Sequence, residues 1–305
     1  MHSNKLTVHL NEMLMCSPDL SQITYVVACA ATCSFNDYFF RKFELIFSRI
    51  HMNLNFSCIL SMDKFLMRGN ESEDDATLLV NSISQISADA FFVTQKLHSN
   101  NDHFDVIYYK QILPKKLADR LLIYCEKNIK YFTGNLARVF LFNQWHPIPR
   151  KHMAMGHPNL HYRFSGNVIP AKPWNAVILA LRNLVSEIAK CDFNFVLINR
   201  YKDGHDYIGE HRDNEKELDP SSPIASVTVG EKRDFIFKHY RVNHQPASAS
   251  EKVCIALEHG SMLLISADTN RHWSHSLPKR RHCQNVRINF TFRKMKLQLN
   301  EEDKD

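Results

Sequence analysis

The chain has 305 residues, 44% of them hydrophobic, and a formal net charge of +6. That hydrophobic share excludes a disordered chain, and the length allows one or two domains. Eight cysteines without a C-x2-C pair exclude a zinc ribbon or thioredoxin-like motif, and the longest apolar run, residues 23–33, is too short to span a bilayer.

Residues 1–61 hold four of the eight cysteines and show no clear periodicity. Lys5, Arg41, Lys42 and Arg49 balance Glu12, Asp19, Asp37 and Glu44 there, so the whole basic excess lies in residues 62–305. No basic cluster of a signal peptide precedes the apolar run, so the thiols read as free in a reducing compartment. Residues 1–61 are expected to be a poorly ordered extension of unknown role, and the working chain to begin at Met62. Residues 62–104 read as a flexible arm with at most a short helix, residues 105–297 as the folded domain, and residues 298–305 as an acidic tail.

Within the domain, residues 106–109 are a strand candidate. A helix is expected from Lys115 to about Lys130, with Leu117, Leu121, Cys125 and Ile129 on one stripe. Strands follow at 137–142 and 161–164. A second helix opens at Pro173-Trp174, the proline suiting its first turn, with Val177, Ile178, Leu181, Val185 and Ile188 on one face. Short strands are then expected at 194–200, 207–211, 224–229, 233–239, 253–257, 261–266, 273–276 and 285–293. The fold class that results is α+β, mainly β: a double-stranded β-helix, or jelly roll, with two flanking helices.

The chemistry centres on His211-Arg212-Asp213. Side chains two apart on an extended segment share a face, so an imidazole and a carboxylate can grip one metal ion. A third ligand is sought downstream, and His272 in TNRHWSHS, after the hydrophobic run 262–265, is the candidate. Two histidines and a carboxylate with open positions suit non-haem Fe(II). The last strand alternates strictly: Val286, Ile288, Phe290 and Phe292 face one way, Arg287, Asn289, Thr291 and Arg293 the other. Arg287 and Arg293 flanking an amide and a hydroxyl make a clamp for a dicarboxylate. A solvated edge strand is the alternative.

Together NRYKDG, H-x-D, the downstream histidine and R-x5-R resemble the AlkB family of Fe(II)/2-oxoglutarate dioxygenases. The text FTGNLARVFLFNQWHPIPRK, FSG, KPW, FNFVLINRYKDG, IGEHRD, SPIAS, RDF and HSLP is similar to its DNA oxidative demethylase branch, over about residues 131–294. The resemblance implies a metal site of His211, Asp213 and His272. It implies Fe(II), 2-oxoglutarate as co-substrate and O2, with Asn199, Tyr201, Arg287, Thr291 and Arg293 contacting 2-oxoglutarate. The implied activity is direct reversal of 1-methyladenine and 3-methylcytosine in double-stranded DNA, with etheno adducts a further class, releasing formaldehyde, succinate and CO2.

A target base must leave the stack, and a hydrophobic wedge can fill the gap. By resemblance Phe142 is that wedge, next to Asn143 (where the family has Gly) and Gln144. Phe140 and Phe142 share a strand face, so a core role for both stays open. Tyr162, Arg163 and Phe164 match the text that lines the family's base pocket. Asn214 stands where a close relative has an acid, and Glu215 is the acceptor that can replace it. Arg150 is expected to touch DNA phosphate, and loop 240–252 the opposite strand. Lys64-Phe65-Leu66-Met67-Arg68 resembles the family's motif for the replication sliding clamp, proliferating cell nuclear antigen, with Met67 in place of the usual aliphatic residue. A nuclear monomer with no membrane partner is expected. An RNA or single-strand demethylase, and a catalytically inactive DNA-binding jelly roll, remain as alternatives.

Overall fold

The computed structural model describes residues 74–88, 95–99, 103–141, 143–164, 167–239 and 252–296, all within the unit Gly69–Asp305. The expectations for residues 1–61, Lys64–Arg68, Phe142, residues 240–251 and the tail 298–305 lie outside the described residues, as does the side chain of Phe164.

In chain order the elements are α1 (Asp75–Ser84), β1 (Gln95–Ser99), β2 (Phe104–Tyr109), α2 (Lys115–Asn128), β3 (Arg138–Leu141), β4 (Gln144–Pro147), β5 (Lys151–Gly156), β6 (His161–Phe164) and β7 (Asn167–Pro170). There follow α3 (Ala176–Ala189), β8 (Phe195–Tyr201), β9 (Ile208–His211), β10 (Ile224–Gly230), β11 (Arg233–His239), β12 (Lys252–Leu257), β13 (Ser261–Ile265), α4 (Ala267–His272), β14 (Trp273–Leu277) and β15 (Arg287–Arg293). A seven-stranded sheet runs β1-β2-β13-β10-β15-β8-β5, and a four-stranded sheet runs β12-β11-β14-β9. This is the jelly roll that the strand pattern implies. None of the described helices is long and apolar enough to cross a membrane.

The helices form because each carries one apolar stripe. In α2, Leu117, Leu121 and Cys125 recur every four residues and are buried. In α3, Val177, Ile178, Leu181 and Val185 are buried, and the Asn175 side chain caps the start by accepting from the Ile178 amide at 2.9 Å. Pro173 therefore precedes the cap and does not occupy the first turn, a correction to the expected start. Both helices pack with Val196, Ile198, Val227, Met262, Ile288, Phe290 and Phe292 on the back of the large sheet.

The arm expected over residues 62–104 is partly built into this core. Helix α1 buries Leu79 and Ile83 in the same cluster, and β1 pairs with β2 at the sheet edge. Two apolar residues one turn apart suffice to dock a short helix, because α3 already presents an apolar surface to it.

The front of the large sheet faces the small one. Phe104, Val106, Tyr108, Leu263 and Ile265 meet Phe235, Phe237, Ile255, Trp273 and Leu277 across that gap. Strand β15 is consequently buried on both faces: Arg287, Asn289 and Arg293 are 2%, 7% and 3% exposed. The solvated-edge alternative for this strand does not hold. Its polar side points into the jelly roll, where the site lies.

Candidate active site

Strand β9 delivers His211 at its end, and Asp213 follows two residues later. Strand β14 pairs with β9, and its register sets His275 opposite His211. The two rings lie 4.4 Å apart between centroids. One ligand atom from each of His211, Asp213 and His275 lies within 4.8 Å of the others. His272 does not join them. It ends α4, before the strand begins, and its ring stacks on His103 at 4.1 Å. The expected third member is therefore corrected to His275. The signal was present in Trp273-x-His275-x-Leu277, an inward-facing alternation in which Trp273 and Leu277 are buried.

The donor set is held for ligation. His211 Nδ1 lies 2.9 Å from the Gly209 carbonyl, which makes Nδ1 the protonated nitrogen and turns the Nε2 lone pair toward Asp213 Oδ1, 3.7 Å away. His275 stacks on Phe235 at 5.2 Å. Burial pushes its pKa down to about 3, and burial lowers that of His211 too, so both imidazoles stay neutral. Burial alone would raise the Asp213 carboxyl, but the Arg293 guanidinium holds it well below the usual carboxylate range. Asp213 Oδ1 and His275 Nδ1 are buried without a hydrogen-bond partner among the described residues. Two neutral imidazoles and an ionised carboxylate with an uncommitted oxygen fit a divalent metal.

Asn270, on α4, also serves this cluster. Its amide donates to the Asp213 carbonyl at 2.7 Å and accepts from the Asp213 N–H at 3.3 Å. Nothing in the sequence singled it out, because the pairing joins α4 to a segment 57 residues away in sequence.

Beside the cluster lies a cleft of about 660 Å³, open mouth included. Of the residues that the resemblance assigns to 2-oxoglutarate, Asn199, Tyr201, Thr291 and Arg293 line it, with Asn289; Arg287 is not among its lining residues. Register explains their convergence: Tyr201 sits opposite Arg287, and Asn199 opposite Asn289. Arg287 donates to Thr228 Oγ1 at 2.9 Å and lies 5.2 Å from the Tyr201 ring centre, with no carboxylate partner among the described residues. Burial lowers its pKa to about 10. A buried guanidinium without a counter-ion is costly unless a ligand supplies one, and a carboxylate does so. His152, unforeseen, also lines the cleft, with Nε2 buried and unpartnered.

Arg150 is corrected. It is buried, not a surface cation, and its Nε donates to Asn199 Oδ1 at 2.8 Å in the cleft. Tyr162 lines the cleft as expected; its hydroxyl donates to Glu215 Oε1 at 2.5 Å, and its ring lies 5.0 Å from the Arg293 guanidinium. Burial and the Asp213 charge push the Glu215 carboxyl up, and its Oε2 is buried without a partner. Arg163 points outward into a 2.8 Å ion pair with Glu217, and Asn214 is exposed. Asn143 occupies the β3–β4 turn at φ 60°, a conformation favoured by Gly and tolerated by Asn, which explains how the chain keeps this turn without glycine. Gln144 is exposed beside it, and Phe140 and Trp145, cross-strand partners, are exposed too. The wholly-core alternative for this strand does not hold for Phe140.

The sequence profile of the 2OG-Fe(II) oxygenase superfamily matches residues 105–293. DNA oxidative demethylase ALKBH2 of Mus musculus is 47% identical over 188 residues, spanning 61% of this chain and 79% of the relative. Its Homo sapiens namesake is 48% identical over 192 residues, spanning 62% and 73%. Alpha-ketoglutarate-dependent dioxygenase alkB homolog 3 of Homo sapiens is 31% identical over 137 residues, spanning 44% and 48%.

Proposed function

This chain belongs to the 2OG-Fe(II) oxygenase superfamily, in its AlkB branch, and from that premise we propose that it removes alkyl groups oxidatively from bases of double-stranded DNA. Its cofactors are those of the family: Fe(II), 2-oxoglutarate and O2. The observation that carries the reading is the convergence, in one cleft, of His211, Asp213 and His275 with Asn289, Thr291 and Arg293 of β15.

In this reading His211, Asp213 and His275 hold the iron. When bound, it supplies the oxidising chemistry that turns an N–CH3 group into N–CH2OH while O2 and 2-oxoglutarate become succinate and CO2. The chain's own residues position and exclude. Arg287, with Tyr201 and Thr228 beside it, takes one carboxylate of 2-oxoglutarate; Asn199, Thr291 and Arg293 line the rest of its bed. Tyr162 offers an aromatic wall to the base, and Glu215, anchored by Tyr162, offers its remaining oxygen. The hydroxymethyl amine then breaks its C–N bond without a protein nucleophile, giving formaldehyde and the unmodified base.

The substrates named at the outset, 1-methyladenine, 3-methylcytosine and etheno adducts in duplex, belong to this proposal. Support for a duplex is the β3–β4 hairpin, with exposed Phe140, Asn143, Gln144 and Trp145 on either side of Phe142. Phe142 fills the vacated stack, an aromatic contribution of about 1–3 kcal/mol. Nuclear action as a monomer, and docking of Lys64–Arg68 on the sliding clamp, complete the reading; the pentapeptide is what supports the last. The test is formaldehyde release from methylated duplex, the matched single strand and RNA, each with and without iron and 2-oxoglutarate. Release that depends on both and is fastest on duplex is expected. Release confined to RNA or single strands would replace the substrate, and none from any would leave a binding protein.

A further inference from the structure

His272, which the sequence offered as a ligand of the central site, belongs to a different cluster. His103 Nδ1 lies 2.8 Å from one oxygen of Asp268, and His272 Nδ1 lies 3.3 Å from the other. A ligand atom from each of the three lies within 4.8 Å of the others. We propose that His103, Asp268 and His272 form a second, peripheral site for a divalent cation of the zinc class, one that clips the start of β2 to helix α4. This goes beyond the proposed activity and does not depend on it.

Three observations support it. First, the backbone that carries the donors is already fixed. Thr269 Oγ1 accepts from the Asp105 N–H at 2.6 Å and donates to the Asp105 carbonyl at 3.0 Å, and the Ser266 N–H donates to that carbonyl at 3.1 Å. His103 and Asp268 are 165 residues apart in sequence, yet these bonds tie the start of β2 to the start of α4. Second, the side chains are only partly buried, although His272 Nδ1 also lies 2.9 Å from the Asp268 backbone carbonyl, which leaves Nε2 as its ligating nitrogen. They are 51%, 49% and 37% exposed for His103, Asp268 and His272. Tetrahedral zinc places nitrogen and oxygen donors about 3.4 Å apart, given bonds of about 2.0–2.1 Å. The present separations of 2.8 and 3.3 Å from the Asp268 oxygens lie close to that spacing. Third, the donor types select the ion. Two imidazoles and one carboxylate suit zinc, copper or nickel, whereas magnesium and calcium take oxygen donors. Solvent supplies the remaining positions.

The competing arrangement is a metal-free stack in which Asp268 hydrogen-bonds both rings. The two differ in one measurable respect, and the consequence reaches the central site. Asn270, between Asp268 and His272 in sequence, grips the peptide of Asp213 from both sides. A cation on α4 therefore stiffens the segment on which Asp213 rests.

The test is calorimetric titration of the metal-stripped full chain with Zn2+, alongside His103→Ala, Asp268→Asn and His211→Ala. The natural chain should take up one equivalent more than either His103→Ala or Asp268→Asn. His211→Ala should lose a different equivalent and keep this one. Without metal, His103→Ala should melt with the natural chain, and with Zn2+ it should miss part of the natural chain's rise in melting temperature. If His103→Ala and Asp268→Asn bind as many equivalents as the natural chain, with affinities within about tenfold, the cluster is only a hydrogen-bonded stack and the proposal fails.

Discussion

Arg293 donates twice to the same oxygen of Asp213, from Nε at 3.1 Å and from Nη2 at 2.7 Å, and leaves Asp213 Oδ1 turned toward His211. Both groups are almost wholly buried. The pair divides the carboxylate into an anchored oxygen and one available for a ligand. Removing one partner of such a pair strands a buried charge, which costs about 3–5 kcal/mol. Arg293→Met should therefore lower the denaturant midpoint clearly and abolish turnover. A variant as stable as the natural chain would mean that solvent reaches Asp213.

Arg287 has a different task. Its guanidinium lacks a carboxylate partner, so Arg287→Leu should cost little stability and act on 2-oxoglutarate. Losing a charge-assisted hydrogen bond is worth about 1.5–3 kcal/mol, so KM for 2-oxoglutarate should rise roughly tenfold or more while KM for DNA stays put. An unchanged KM for 2-oxoglutarate would remove Arg287 from that role.

Much of the site was legible because strand alternation is a strict rule. Asn199 and Tyr201, and Arg287 to Arg293, had to share faces once their strands were recognised. What alternation leaves undecided is which face is the interior. For β15 that required the helices α2 and α3, which cover its apolar side and force the arginines inward. His272 and His275 show the other limit. They lie three apart, and only the boundary between α4 and β14 decides which one enters the jelly roll. Arg150, expected from the text around it to touch DNA phosphate, is buried instead, because its partner Asn199 comes from a strand 49 residues away.

Helix α1 was read as part of a tether, yet Leu79 and Ile83 are 1% and 0% exposed. Leu79→Ala or Ile83→Ala should each destabilise the catalytic unit by about 2–5 kcal/mol, as buried truncations do. Thermal melts that coincide with the natural chain would return α1 to the tether.

Stability should also depend on buried histidines. Burial, then Arg150, lowers the pKa of His152 from 6.5 to about 4, and burial lowers His275 to about 3. The unfolded chain takes up these protons near pH 6.5, whereas the folded chain resists until about pH 4 and 3. Their contribution is therefore full above about pH 6.5 and falls as the pH drops through that window, by up to about 1.4 kcal/mol per pH unit for each histidine. In metal-stripped protein, His152→Gln should lose less stability between about pH 7 and 5 than the natural chain. Parallel pH profiles would show that His152 is hydrated.

The central claim is that His211, Asp213 and His275, not His272, form the working centre. The direct measurement is iron- and 2-oxoglutarate-dependent formaldehyde release from methylated duplex by His275→Ala and His272→Ala, compared side by side with the natural chain. The structure predicts that His275→Ala loses turnover and that His272→Ala keeps most of it. Activity retained by His275→Ala and lost by His272→Ala would contradict the assignment.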